Sequence, residues 1–88
     1  MSVSAEEIEA ALRLALAPEA LAVVDDSHLH AGHAGAREGR HYTVLVEAAA
    51  FAGLPRLRRH RLVYDALGPL SAAGIHALAI VARAPGEA

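Results

Sequence analysis

Histidine is the residue type in this chain best suited to bind a metal. Six histidines are present and cysteine is absent, so this chain alone supplies neither disulfides nor thiolate ligands. His28, His30 and His33 share one glycine-containing segment, and His76 lies far along the chain. Neutral imidazole binds zinc, copper and iron. The spacing matches neither a helical i, i+4 pair nor a zinc finger, so two interpretations stay open for each: metal ligand, or ordinary polar residue.

Arginine is the second residue type with binding chemistry. Lysine is absent, and half of the 8 basic residues form a basic cluster at the start of a predicted helix. Guanidinium groups at a helix N-terminus can hold phosphates, helped by free N–H groups and the helix dipole. The alternative is a solvated helix face, which the net charge of −2 favours, because the field of the whole molecule does not attract nucleic acid. The basic cluster consists of Arg56, Arg58, Arg59 and Arg61.

Several functional classes lack their sequence signatures. No serine stands in a nucleophile elbow, and neither a phosphate loop nor a dinucleotide fingerprint is present, so the chain is not expected to be an enzyme. The acidic N-terminus does not resemble a signal peptide, and no apolar run approaches the length of a membrane span. A single domain over residues 1–88, soluble and cytoplasmic, is the expectation.

Helices and strands are predicted in an α-β-β-α-α-β order. Ser4 and Glu7 form the pattern of a capping box, followed by apolar residues at helical spacing. Gly68 and Pro69 are predicted to end the second helix, whose expected core stripe is Leu57, Val63, Tyr64, Leu67 and Leu70. The order predicts an α+β fold with helices packed on a three-stranded sheet. The predicted elements are helix 4–17, strand 21–24, loop 27–40, strand 41–47, a helical turn at 48–53, helix 55–67, a short segment at 70–73 and strand 75–83.

Four motifs in the same order resemble the BolA family. They are DSHLHAGH at 26–33, FAG at 51–53, RHRLVY at 59–64 and IHAL at 75–78. The resemblance spans about residues 5–85 and implies an α-β-β-α-α-β fold similar to class II KH domains. The predicted element order agrees with that implication.

The resemblance also implies a partner and a cofactor. BolA-like proteins pair with monothiol glutaredoxins, and the pair holds a bridging two-iron two-sulfur (2Fe-2S) cluster together with glutathione. By this resemblance one ligand is the histidine of the IHAL motif, His76. The other lies in the loop after the first strand, at the third residue past the serine, His30, with His33 as the competitor. No cofactor is expected on the isolated chain.

DNA binding is the alternative function that the resemblance implies. The family has also been associated with transcription control, and the basic cluster would serve that role. The segment Gly53–Arg56 nevertheless lacks the second glycine of the GXXG loop with which KH domains clamp a nucleic-acid backbone. Iron–sulfur cluster binding with a glutaredoxin is therefore the preferred expectation, and DNA binding is the alternative.

Overall fold

A computed structural model describes residues 4–26, 40–72 and 75–87 of the chain. The predicted α+β class, with helices on a three-stranded sheet, is confirmed. The element after the second helix is a 3-10 helix rather than an α-helix. The elements are α1 (Ala5–Leu16), β1 (Ala20–Asp25), β2 (Arg40–Glu47), α2 (Arg56–Leu67) and β3 (Ile75–Arg83), with 3-10 helices at Ala49–Phe51 and Gly68–Ala72.

The first helix begins at the predicted capping box. The Glu7 N–H donates to Ser4 Oγ at 3.1 Å, and the Ser4 N–H donates back to Glu7 Oε1 at 3.2 Å. These two bonds satisfy donors that the first turn of a helix otherwise leaves unpaired. At the other end Ala17 adopts the left-handed conformation with φ 45°, and Pro18 follows it.

The second helix has the predicted limits within one residue. Pro55 is its N-cap, with extended backbone angles, rather than a member of its first turn as predicted. Gly68 ends it with φ 55°, a conformation that favours glycine. The α-helices are 12 residues long, and no helix within 4–26, 40–72 and 75–87 combines the length and apolar character that crossing a bilayer requires.

The sheet has the strand order β1-β2-β3, with β2 in the centre. β1 pairs with β2 in antiparallel orientation, and β3 pairs with β2 in parallel. A parallel pair cannot be joined by a tight turn and needs a long crossover. Here the crossover contains α2, which therefore packs on the sheet.

The core lies between the helices and one face of the sheet. Tyr42, Val44 and Val46 are buried, while Leu45 on the opposite face is exposed, because alternate residues of a strand point to opposite faces. This predicted alternation is confirmed. The other large buried side chains of the core are Ile8, Leu12, Phe51, Val63 and Leu67.

The predicted core stripe of α2 is wrong at two positions. Val63 and Leu67 are buried and Leu70 packs against the core, as predicted. Leu57 is 67% exposed and Tyr64 is 43% exposed. At about 100° per residue both lie some 100–120° around the helix from Val63. The core stripe instead includes Leu62 and Ala66, which pack partly buried against the core.

Two identical substitutions in α2 test this burial. Leu67→Ala should lower the free energy of unfolding by about 2–5 kcal/mol, because it leaves a cavity in the core. Leu57→Ala, on the exposed side, should change it by no more than about 0.5 kcal/mol. Urea unfolding followed by circular dichroism measures both, and equal losses would contradict the orientation of α2.

Candidate functional site

One end of the sheet holds both the start of β3 and the two residues that flank segment 27–39. The Asp26 N–H donates to the His41 carbonyl oxygen at 2.8 Å, and Arg40 pairs with Ile75. The two residues that flank segment 27–39 therefore lie at the end of the sheet where β3 begins. His76 is the second residue of that strand.

The backbone is irregular at His76. Arg40 pairs with Ile75, but the next residue, His41, pairs with Ala77. His76 is thus the additional residue of a β-bulge. Bulges break the regular ladder and are common beside functional sites.

The start of the ligand segment is held in place by a side-chain contact. The Thr43 hydroxyl on β2 donates a hydrogen bond to the Asp26 carboxylate. Together with the Asp26 N–H bond to His41, this fixes the position from which residues 27–39 leave β1. Asp26 belongs to the resembling motif, and its anchoring role was not predicted from the sequence.

The structure places only part of the predicted metal site. His28, His30 and His33 lie outside the described residues, so their assignment stays a prediction. Within the three described ranges, no group of three or more His, Cys, Asp or Glu side chains is arranged to hold a metal ion. Two histidine donors are fewer than the four protein ligands typical of a structural metal site, so the predicted pair would need further ligands.

The basic cluster divides into one engaged arginine and three exposed ones. The Arg59 side chain is only 13% exposed and forms two parallel bonds of 2.6 Å to the Glu87 carboxylate. It also donates to the carbonyl oxygens of Leu54 at 2.7 Å and Ala82 at 3.1 Å. The solvated-face alternative is therefore wrong for Arg59, which ties the start of α2 to the end of β3. The exposed members are Arg56, Arg58 and Arg61.

Glu87 reaches Arg59 because the chain reverses after β3. The Glu87 N–H donates to the Ala84 carbonyl oxygen at 3.1 Å, and Gly86 has φ 85°. These features fit a type II turn with proline and glycine in its centre. Sequence reasoning missed this contact, although the Pro85-Gly86 pair is a turn signal that could have placed Glu87 back against the sheet.

The ion pair shifts the ionisation of both partners. The two bonds from Arg59, with smaller contributions from the Ala84 N–H and the charge of Arg83, lower the pKa of Glu87 from 4.5 to about 2. The bonds to Glu87 raise the pKa of Arg59. Because the folded pKa of Glu87 is lowered, its stabilising contribution is complete above pH 4.5 and is lost as the pH falls toward 2.

Comparison with known proteins places this geometry in a family. Residues 12–87 match the family model described as BolA-like protein. An uncharacterised protein of Sinorhizobium sp is 45% identical, over 93% of this chain and 91% of its own length. BolA-like protein 1 of mouse is 41% identical over 98% of this chain, which spans 64% of that protein. The DNA-binding transcriptional regulator BolA of Escherichia coli is 39% identical, over 85% of this chain and 70% of its own length.

Solved structures show the same fold. The BolA domain of SufE1 from Arabidopsis thaliana is 39% identical and superimposes with a TM-score of 0.84, covering 100% of this chain and 99% of that one. BolA1 from the same plant is 35% identical, with a TM-score of 0.82 and coverage of 100% and 98%. The fold described above is therefore that of these BolA structures. The predicted likeness to class II KH domains stays a prediction.

The Arg59–Glu87 pair has a titration that can be measured directly. The Glu87 carboxyl, followed by NMR, should titrate with a midpoint of about 2. Arg59→Lys should raise this midpoint toward 4.5, because an ammonium group cannot make the two parallel bonds of a guanidinium. Arg56→Lys, which keeps the charge of an exposed neighbour, should leave it unchanged. A midpoint near 4.5 in the unaltered protein would contradict the pairing.

Proposed function

Because this chain belongs to the BolA-like family, we propose that it is a non-enzymatic accessory protein of iron–sulfur cluster assembly, trafficking or iron sensing. It acts as a heterodimer with a monothiol glutaredoxin, and the two chains share a bridging 2Fe-2S cluster together with glutathione. The observation that carries this proposal is the position of His76, at the end of the sheet where segment 27–39 begins and ends.

Chain reach supports a ligand pair drawn from the segment and the strand. Asp26 is bonded to β2, and since neighbouring strands are about 4.8 Å apart, β3 lies about 10 Å from β1. His30 is four residues past Asp26, and four residues of extended chain span at most about 14 Å. The backbone of His30 can therefore cross the roughly 10 Å between β1 and β3 even before side chains are counted. The backbone reach of His28 is about 7 Å, and the imidazole side chains of both ligands add to it, so chain reach alone does not distinguish the three histidines. His33 has the longer reach, and the family resemblance selects His30 over it.

Imidazole ligands suit a shared cluster. Two neutral histidines in place of thiolates remove negative charge from a 2Fe-2S centre and raise its reduction potential. The remaining ligands would be the glutaredoxin cysteine and the glutathione thiol, since this chain has no cysteine. When bound, the cluster supplies the electron-transfer or iron-donating chemistry, and this chain holds and orients one side of it.

Replacing His76 tests the fixed ligand. His76→Ala should abolish the visible absorption of the mixed-ligand cluster when the protein is combined with a monothiol glutaredoxin, glutathione, iron and sulfide. The matched variant His60→Ala, on α2, should keep the spectrum. Circular dichroism should show both variants folded. An unchanged spectrum in His76→Ala would remove His76 from the ligand set.

Replacing the segment histidines tests the second ligand. His30→Ala should remove one histidine nitrogen signal from the pulsed electron paramagnetic resonance of the reduced complex, while His28→Ala and His33→Ala should retain it. Loss of the nitrogen signal in His33→Ala alone would identify His33, three residues after His30, as the ligand. Retention in all three variants and in the triple variant would show that no segment histidine binds the cluster. Binding should also weaken below about pH 6.5, where protons compete for imidazole nitrogen.

DNA binding is the second candidate function. It is supported by the printed name of the Escherichia coli relative, a DNA-binding transcriptional regulator, and by the exposure of three arginines in the basic cluster. Arg59 is not expected to contact phosphate, because its guanidinium group is bonded to the Glu87 carboxylate. The phosphate contacts would come from Arg56, Arg58 and Arg61.

Salt dependence measures those contacts. If duplex DNA binds, Arg58→Ala and Arg61→Ala should each reduce the slope of log affinity against log salt concentration by about one. Arg13→Ala, on α1, is the control and should leave the slope unchanged. Slopes that are equal in all variants would remove the basic cluster from a DNA interface.

A further inference from the structure

A groove separates the start of α2 from the end of β3. Its volume is about 580 Å³. Arg56, Arg59 and His60 line the helix side, and residues Ile80–Arg83 line the strand side. Glu87 also lines it. Three arginines and one glutamate give the groove walls a net positive charge, although the whole chain has a net charge of −2.

The strand side of the groove is an unpaired sheet edge. Among the described residues, β3 has β2 on one side and no strand on the other. The Arg83 carbonyl oxygen accepts from Ala48 on the β2 side, whereas the Ala82 carbonyl oxygen accepts from Arg59. Because successive residues of a strand direct their N–H and C=O groups to opposite sides, Leu78 and Ile80 direct theirs, like Ala82, to the open edge.

Arg59 covers only the end of that edge. Its bond to the Ala82 carbonyl oxygen uses one outward acceptor, so the backbone groups of Leu78 and Ile80 remain at the edge. An uncovered edge strand is a template for another extended segment.

The groove already binds a carboxylate, which is supplied by its own chain. The Glu87 carboxylate accepts two bonds from Arg59 at 2.6 Å and one from the Ala84 N–H at 3.0 Å. Arg56 and Arg83 line the same groove, and both are exposed. They present further positive charge to any segment laid along β3.

We propose that the edge of β3 is a docking surface for an extended, acidic segment of a partner protein, which adds to the sheet as a fourth strand beside Leu78–Ala82. Backbone hydrogen bonds to Leu78 and Ile80 hold the segment, and its carboxylates face Arg56 and Arg83. A segment of about five residues matches this length of edge. The surface lies along the strand from the proposed cluster ligand, and the inference does not depend on cluster binding.

Synthetic peptides test this docking without a known partner. The probe is a capped octapeptide of alternating Glu and Val, compared with one of alternating Lys and Val. On titration with the acidic probe, the amide protons of Leu78 and Ile80 should exchange more slowly with solvent. The amides of Ala79 and Val81, which already face β2, should not change. The lysine probe should bind about tenfold more weakly or not at all.

Backbone pairing is separated from charge attraction by N-methylation. Two acidic probes are methylated at alternate amides, one at the glutamates and one at the valines. Strand addition uses the N–H groups of every second residue, so one of the two probes should lose binding. If both bind as well as the parent peptide, strand addition is overturned.

A matched pair of charge reversals locates the site. Arg56→Glu, in the groove, should weaken binding about fivefold or more, whereas Arg61→Glu, on the same helix outside it, should change it by less than about twofold. Both residues are exposed, so both variants should fold. Equal effects of the two reversals, or no slowed exchange along β3, would overturn the proposal. Binding of a single-stranded dT decamer at this edge in preference to the acidic peptide would also overturn it, in favour of nucleic acid.

Discussion

The parallel pairing of β2 with β3 is the constraint on which the other features depend. Parallel strands start at the same end of a sheet, so the start of β3 lies beside the start of β2. The long crossover that this pairing requires carries α2 onto one face, and it thereby creates the core. The same crossover leaves β3 at an edge, with the start of α2 beside its far half. Both candidate sites, at the two ends of β3, therefore follow from one topological choice.

Local signals in the sequence were sufficient for most of the fold. The reciprocal bonds of Ser4 and Glu7, the positive φ of Gly68 and the alternation of Tyr42, Val44 and Val46 each involve residues close in sequence. Such features are encoded by a few neighbouring side chains and do not require knowledge of the sheet order. The strand order and the direction of β3 are long-range properties, and they could not be derived from these patterns.

The predictions were wrong at residues whose exposure or pairing is set by tertiary contacts. Leu57 and Tyr64 are apolar residues at helical spacing, yet the orientation of α2 on the sheet leaves them exposed. Arg59 looked like one member of a charged surface, although a partner 28 positions later engages it. The candidate metal site was predicted from a family resemblance. Physical reasoning from the sequence supplied only the chemistry of imidazole. The structure adds that the residues flanking segment 27–39 lie at the end of the sheet where β3 begins.

The anchoring of Asp26 and Arg40 on adjacent strands has an evolutionary consequence. The two residues that flank segment 27–39 are held by the sheet, so a change in the number of residues between them leaves the pairing of the strands in place. Each doubling in length of a flexible connection costs only about 0.6 kcal/mol. Insertions and deletions between these two anchors are thus thermodynamically inexpensive, whereas a shift by one residue in β3 would move every core side chain of that strand to the wrong face. Changes in length are therefore expected between Asp26 and Arg40 rather than within the strand that carries His76.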